Sequence, residues 1–226
     1  MKDESFKCPI AIFRDLPDAK DIADEFAELA QGLRSDDKNG GLISDAWKNS
    51  EVAKDPMDYE KYGYTSFYNF NLTKEKGFKR IHELTVLGIG KYLDEFAKQH
   101  LNFKLLNSWS SIYGKGHYIP EHIHSHSHFS IVFYADASEG TGEIIFRNPM
   151  YPLYGMMFTG TQGFFNDNLE VQPEKGMMII FPSFVPHYTK RHMDDKERII
   201  FSCNAQITES HIPHQPATGP KVRNPI

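Results

Sequence analysis

From residue 101 onward the chain breaks into short runs of β-branched and aromatic residues, at about 105–113, 129–135, 142–147, 169–172, 177–181, 188–192 and 198–207, set apart by Gly, Pro and Asn. Most of these runs are too short for helices and suit strands, whose ends the glycines and prolines turn. Evenly spaced short strands must cover one another's apolar faces. The pattern therefore predicts a closed or two-layered β structure, a β-helix or jelly roll of about eight strands.

The first hundred residues read differently. Behind Asp18, Ile22, Phe26, Leu29, Ala30 and Leu33 recur at three- and four-residue steps, and Phe78, Ile81, Leu84, Leu87, Ile89, Leu93 and Phe96 repeat the pattern. Both stretches predict helices, the second with a bend at Gly88 and Gly90. Residues 62–70 have the aromatic density of a strand, whereas Gly40-Gly41 and 48–60 read as loop. The expected organisation is one domain over 1–226, with helical support over 1–100, a β core over 101–210 and a Pro-rich polar tail over 211–226.

Composition narrows the function classes. With 40% apolar and 13% aromatic residues the chain has enough large side chains for a buried core. A net charge of −5, with Lys and Arg spread along the chain, leaves no basic footprint for nucleic acid or an anionic membrane. No run approaches the ~18 apolar residues of a membrane span, and residues 1–9 carry charges where a secretion signal needs an apolar stretch. Cys8 and Cys203 form no Cys-x-x-Cys pair. The expectation is a cytoplasmic protein without a disulfide and without a nucleic-acid or membrane partner.

Five of the 11 histidines fall between His117 and His128. In an extended strand alternate side chains share a face, so His122 and His124 project to the same side with Ile123 on the other. Neutral imidazole binds Fe, Zn, Cu and Ni, and two such ligands need a third from elsewhere to fix a metal while leaving positions open. The candidate is His187, which follows a buried-looking strand and the turn Pro182-Ser-Phe-Val-Pro. His126 and His128 keep the same parity, but a Ser-His repeat reads equally as a solvated turn.

Arg198 opens an apolar strand, where a guanidinium seeks a bidentate carboxylate. Alternation puts Arg198, Ile200, Ser202 and Asn204 on one face, expected to line the barrel. The competing reading pairs Arg198 at the surface with Asp194, Asp195 or Glu197.

Two resemblances follow. Gly116 with His122-x-His124, and Gly176 with Pro182 and His187, resemble the two cupin motifs, although Phe184 replaces the glycine expected after Pro182 and His128 or Phe129 replaces the expected glutamate. A wider resemblance covers the C-terminal half. Trp109, His122-Ile-His124, Ser130-Ile-Val-Phe-Tyr134, residues 176–181, Pro182-Ser-Phe-Val-Pro-His187 and Arg198-Ile-Ile-Phe-Ser-Cys-Asn204 are similar, in order and spacing, to a 2OG-Fe(II) oxygenase family of marine phages and bacteria. This resemblance implies a mainly β fold with N-terminal helices, the double-stranded β-helix, and an Fe(II) site of His122, His124 and His187. It implies 2-oxoglutarate as co-substrate, held at its far carboxylate by Arg198, with Tyr134 and Tyr113 as neighbours. The implied reaction is hydroxylation, with desaturation as the alternative, of an unidentified small-molecule or peptide substrate with release of succinate and CO2. His124 stands where related oxygenases carry a carboxylate, which leaves two readings open: a three-histidine iron, or a carboxylate from outside the motif.

Rival readings are a cupin dioxygenase or isomerase with His128 as fourth ligand, and a non-catalytic β-sandwich binding protein. The aromatic, glycine-punctuated segment 151–165 is expected to cover substrate, pack into the core or form a homodimer contact. Trp47 receives no role.

Overall fold

The computed structural model describes residues 8–36, 63–67, 70–97, 101–150 and 168–209. Gly40-Gly41, Trp47 and the segments expected as loop (48–60), substrate cover (151–165) and tail (211–226) lie outside them. In chain order come β1 (Ala11–Phe13), α1 (Ala19–Asp36), β2 (Tyr64–Thr65), two 3-10 turns, α2 (Lys79–Phe96) and then, among the described residues, strands only. These strands are β3 (Asn102–Tyr113), β4 (Phe129–Asp136), β5 (Ile144–Arg147), β6 (Asn168–Val171), β7 (Met178–Pro182), β8 (His187–Thr189) and β9 (Arg198–Glu209).

All pairings are antiparallel, in a six-stranded sheet of order β1-β7-β4-β9-β3-β2 and a three-stranded sheet of order β6-β5-β8. The period of two decides which way each side chain faces. On β9, Ile199, Phe201, Cys203 and Ala205 join the core under the helices, as do Ile131, Phe133 and Ala135 of β4 and Met178 and Ile180 of β7. Ile22, Phe26 and Ala30 of α1 and Ile81, Leu84 and Ile89 of α2 meet them. Phe26 packs edge-on against both Phe78 and Phe201 at 5.7 and 5.6 Å. Burying such a ring stabilises the fold by roughly 1.5–3 kcal/mol. The intervening residues, Val132, Tyr134, Ile179 and Phe181, turn to the small sheet and pack with Ile144, Phe146 and Val171.

Three features depart from the sequence pattern. α2 runs unbroken through Gly88 and Gly90. A Cβ on Gly88 would lie 2.6 Å from Met178 Sδ, so this glycine serves the approach of α2 to β7. The strand expected over 62–70 is two residues long in the described part, because the chain turns at Ser66, whose carbonyl accepts the Phe70 amide at 3.1 Å. In the opposite direction, β1 gave no sequence signal. Three residues are too few to show a period, and they form a strand because β7 offers them an edge. Cys8 and Cys203 are unpaired thiols, and no described helix is long and apolar enough to cross a membrane.

Candidate metal centre

His187 begins β8, and the turn before it closes through Val185 N–H donating to Pro182 O at 3.0 Å. His122 is tied to it by two backbone bonds, each residue's N–H donating to the other's carbonyl at 3.0 Å. His124 N–H donates to Ser183 O, also at 3.0 Å. The histidine pair thus sits on an extended segment with one isolated bridge, not on the regular strand expected from sequence. The local alternation nevertheless holds, and the three rings gather with ligand nitrogens all within 4.8 Å of one another.

Each ring is oriented from behind. His122 Nδ1 faces Pro120 O at 2.9 Å, His187 Nδ1 faces Val185 O at 3.0 Å, and His124 Nδ1 faces Asn204 Oδ1 at 2.7 Å. All three partners are acceptors, so each Nδ1 carries the hydrogen and each Nε2 is left with a lone pair. Asn204 is itself held, its Nδ2 donating to Asn107 Oδ1 at 3.0 Å and its Oδ1 accepting from Ser130 Oγ at 3.0 Å. The Nε2 atoms of His122 and His124 are 3.2 Å apart. With no proton between them this is a pair of lone pairs aimed at one place, near the spacing of about 3 Å expected for neighbouring imidazole ligands on one octahedral ion.

Burial holds all three imidazoles below the ordinary histidine range, His187 well below it and His124 at about 4, with neighbouring rings adding repulsion for those two. At neutral pH they are neutral, the form that binds a metal. Trp109 stacks on His124 with centroids 5.9 Å apart.

Among the described residues no carboxylate joins the cluster. Glu121, next to His122, is paired with Arg147 at 2.6 Å. His126 has φ +63 in a turn that ends the alternation. His128 lies outside the cluster and accepts the Ile207 N–H at 3.0 Å, so the fourth ligand of the cupin reading is not brought in.

The histidines open into a cavity of about 720 Å3 between the sheets, lined also by Tyr113, Tyr134, Arg198, Ile200, Ser202 and Asn204. The face of β9 expected to line the barrel does so. Arg198 is 1% exposed, with its Cζ 4.4 Å from the centre of the Tyr113 ring. Its Nη1 donates to Gly142 O, while Nε and Nη2 have no partner among the described residues. The surface pairing considered from sequence does not occur. Asp195 pairs with Lys115, Glu197 with Arg34, and Asp194 accepts the Lys196 N–H. Tyr113 and Tyr134 are both buried, and burial pushes both phenols up.

Sequence reasoning placed Asn204 on the right face but missed its bond to His124, since nothing local links residues 80 positions apart. It also missed the contact between Gly142 and Arg198, for which the only signal was a glycine just ahead of a strand.

Residues 107–204 match a family described as "Putative 2OG-Fe(II) oxygenase". No curated protein matches the chain in sequence. Among solved structures, the epimerase SnoN from nogalamycin biosynthesis, described as non-heme and alpha ketoglutarate dependent, superposes with TM-score 0.59 at 12% identity, covering 94% of this chain and 86% of that one. A Trichoplax adhaerens prolyl hydroxylase solved with a hypoxia inducible factor peptide gives 0.58 at 12% identity, with 89% and 84% covered. HygX from Streptomyces hygroscopicus, solved with iron bound, gives 0.52 at 12% identity, with 89% and 83% covered. These likenesses establish the fold, a mainly antiparallel double-stranded β-helix with two helices. Over residues 107–204, a little under half of its length, the chain is thus similar to the 2OG-Fe(II) oxygenase family.

Proposed function

We propose that this chain is a dioxygenase that hydroxylates a small-molecule or peptide substrate, releasing succinate and CO2. In this reading His122, His124 and His187 hold Fe(II) through Nε2, and Arg198 receives the far carboxylate of 2-oxoglutarate. Tyr113 and Tyr134 flank that carboxylate. The iron is a three-histidine one, the reading favoured by the lack of a carboxylate in the cluster among the described residues. The whole chain acts as one catalytic unit in the cytoplasm, where its two free thiols are stable.

The observation that carries this reading is a guanidinium 1% exposed, with two nitrogens lacking partners among the described residues, in the cavity that the histidines share. An unpaired buried cation costs several kcal/mol, and an anionic ligand removes that cost. A keto acid with a carboxylate at each end answers both ends of the cavity.

Bound Fe(II) and 2-oxoglutarate would supply the oxidant: O2 is consumed as the keto acid loses CO2 to become succinate, and one oxygen atom enters a substrate C–H bond. The protein's own part is binding and orientation. The carbonyls of Pro120 and Val185 and the Asn204 amide keep three lone pairs converged, and Val132, Ile144 and Ile200 keep water from the inner wall. The cavity exceeds the volume of a ten-heavy-atom keto acid, which leaves room for part of a substrate. The fold relatives include one solved with a peptide and one from nogalamycin biosynthesis, so both substrate classes stand.

The test is an anaerobic mixture of protein, Fe(II) and 2-oxoglutarate, watched for the visible iron-to-keto-acid charge-transfer band. The wild type is expected to show it, His187→Ala to lose it, and Arg198→Met to need far more 2-oxoglutarate. Tight iron binding with no band at any keto-acid concentration would overturn the reading.

A further inference from the structure

We infer that the Gly142 carbonyl dictates which edge of the Arg198 guanidinium faces its ligand, making Gly142 a positioning residue for the far carboxylate; the inference rests on the role proposed above for Arg198. A guanidinium offers donors along its edges. The edge formed by Nε–H and the adjacent Nη2–H presents two parallel bonds that match the two oxygens of a carboxylate. Gly142 O takes Nη1, and the two nitrogens left without partners among the described residues are Nε and Nη2. They make up that side-on edge. The ring of Tyr113 covers one face of the same group at 4.4 Å.

The carbonyl is fixed before any ligand arrives. Thr141 Oγ1 accepts the Met193 N–H at 2.6 Å and donates to Arg191 O at 3.3 Å. The Gln172 amide spans the same loop, donating to Ser138 O at 3.2 Å and accepting the Gly140 N–H at 3.2 Å. His192, fully buried beside it, is anchored through Nε2 to Lys196 O at 2.5 Å.

Gly142 has φ +67, and a Cβ built there would overlap Arg198 Nη1 while lying 3.0 Å from Cζ and 3.5 Å from His192 Nδ1. Any side chain at 142 therefore takes the space of the guanidinium. With the loop stapled on both sides, the arginine head is what must move. Gly140 offers a matched control two residues away, since it has φ +72 but a Cβ there meets nothing within 4 Å. Alanine at either position suffers the same left-handed backbone cost, and only Gly142→Ala strikes the arginine.

The experiment uses the full chain as wild type, Gly140→Ala and Gly142→Ala. Iron affinity and thermal unfolding are measured first, followed by anaerobic titration of the charge-transfer band with 2-oxoglutarate and with its far-end amide, 2-oxoglutaramate. Iron affinity should be the same in all three proteins, and both variants should lose stability through the shared backbone cost, Gly142→Ala the more because it also displaces the arginine head. Gly142→Ala should bind 2-oxoglutarate about tenfold or more weakly and lose most of the preference for carboxylate over amide, as expected when a bidentate charged contact is broken. Gly140→Ala should keep both within about twofold of wild type. Equal keto-acid binding by the two variants would overturn the inference. A wild type without any band, or an Arg198→Met protein that binds as wild type does, would instead remove the arginine's role on which it rests. Should Gly142→Ala fail to fold, Thr141→Val loosens the same carbonyl without adding atoms. Weaker 2-oxoglutarate binding at unchanged iron affinity supports the inference there, and unchanged 2-oxoglutarate binding overturns it.

Discussion

β9 carries two different jobs on alternate residues. Toward the helices it presents Ile199, Phe201, Cys203 and Ala205, all buried in one apolar core. Toward the cavity it presents Arg198, Ile200, Ser202 and Asn204. The first face removes apolar area from water and supplies stability. The second holds a buried cation and an amide bonded to a cluster histidine, groups that cost free energy unless each finds a partner. One backbone fixes both sets, so the rigidity bought by the apolar face is what keeps the polar face in register.

Substitutions on the two faces should separate affinity from stability. His187→Ala is expected to have the largest effect, loss of stoichiometric Fe(II) binding and of succinate formation with the β fold retained, read by metal titration and circular dichroism. Retained stoichiometric iron would break the assignment. On the helix side, Phe201→Ala should cost about 3–5 kcal/mol in denaturant unfolding, while the folded fraction binds iron as wild type does. If iron affinity fell with it, the two faces would be coupled rather than independent.

Asn204→Leu lies between the faces in character, removing the acceptor behind His124 while keeping its branched shape. Iron affinity should fall about 10–100-fold, the range for lost partners behind a ligand. Unfolding should shift less than for Phe201→Ala. An unchanged metal affinity would show that His124 needs no support from behind.

The smallest expected effect is at the periphery. Arg34 donates to Glu197 at 2.6 Å and holds that carboxyl below its ordinary range, but both side chains are more than a third exposed, so solvent screens the pair. Because the folded value is depressed, the stabilisation is present above the unfolded carboxyl value and is lost as pH falls through the folded one. Arg34→Ala should therefore cost about 0.2–1 kcal/mol at neutral pH, shrinking toward zero in acid. A cost independent of pH would assign it to lost packing of the arginine stem.

Much of the fold was legible because its signals are local. The helical repeat of Ile22, Phe26 and Ala30 and the strand runs after residue 101 each declare themselves within a dozen residues, and both helices and all seven strands from β3 to β9 appear where the pattern put them, with ends shifted by a few residues. β1 escaped because a three-residue strand has no readable period. In the site, the parity of His122 and His124 held even though their segment is not a regular strand, and His187 was marked by the proline turn before it. The parity could not be carried on to His126 and His128. A turn with positive φ intervenes, and Ser-His repeats do not specify its backbone.

What the sequence determined by itself is a set of alternations: which residues of a strand share a face, and hence that Arg198 and Asn204 look the same way as each other and away from Phe201. That information lies in the backbone geometry of a strand and needs no partner. Only the tertiary structure decided what those faces meet. An antiparallel bridge brings His187 to His122, and side-chain hydrogen bonds bring Asn204 to His124 across 80 residues and Arg198 to the Gly142 carbonyl across 56. Such contacts are fixed by packing and pairing between segments far apart in the chain, and no local pattern encodes their distances.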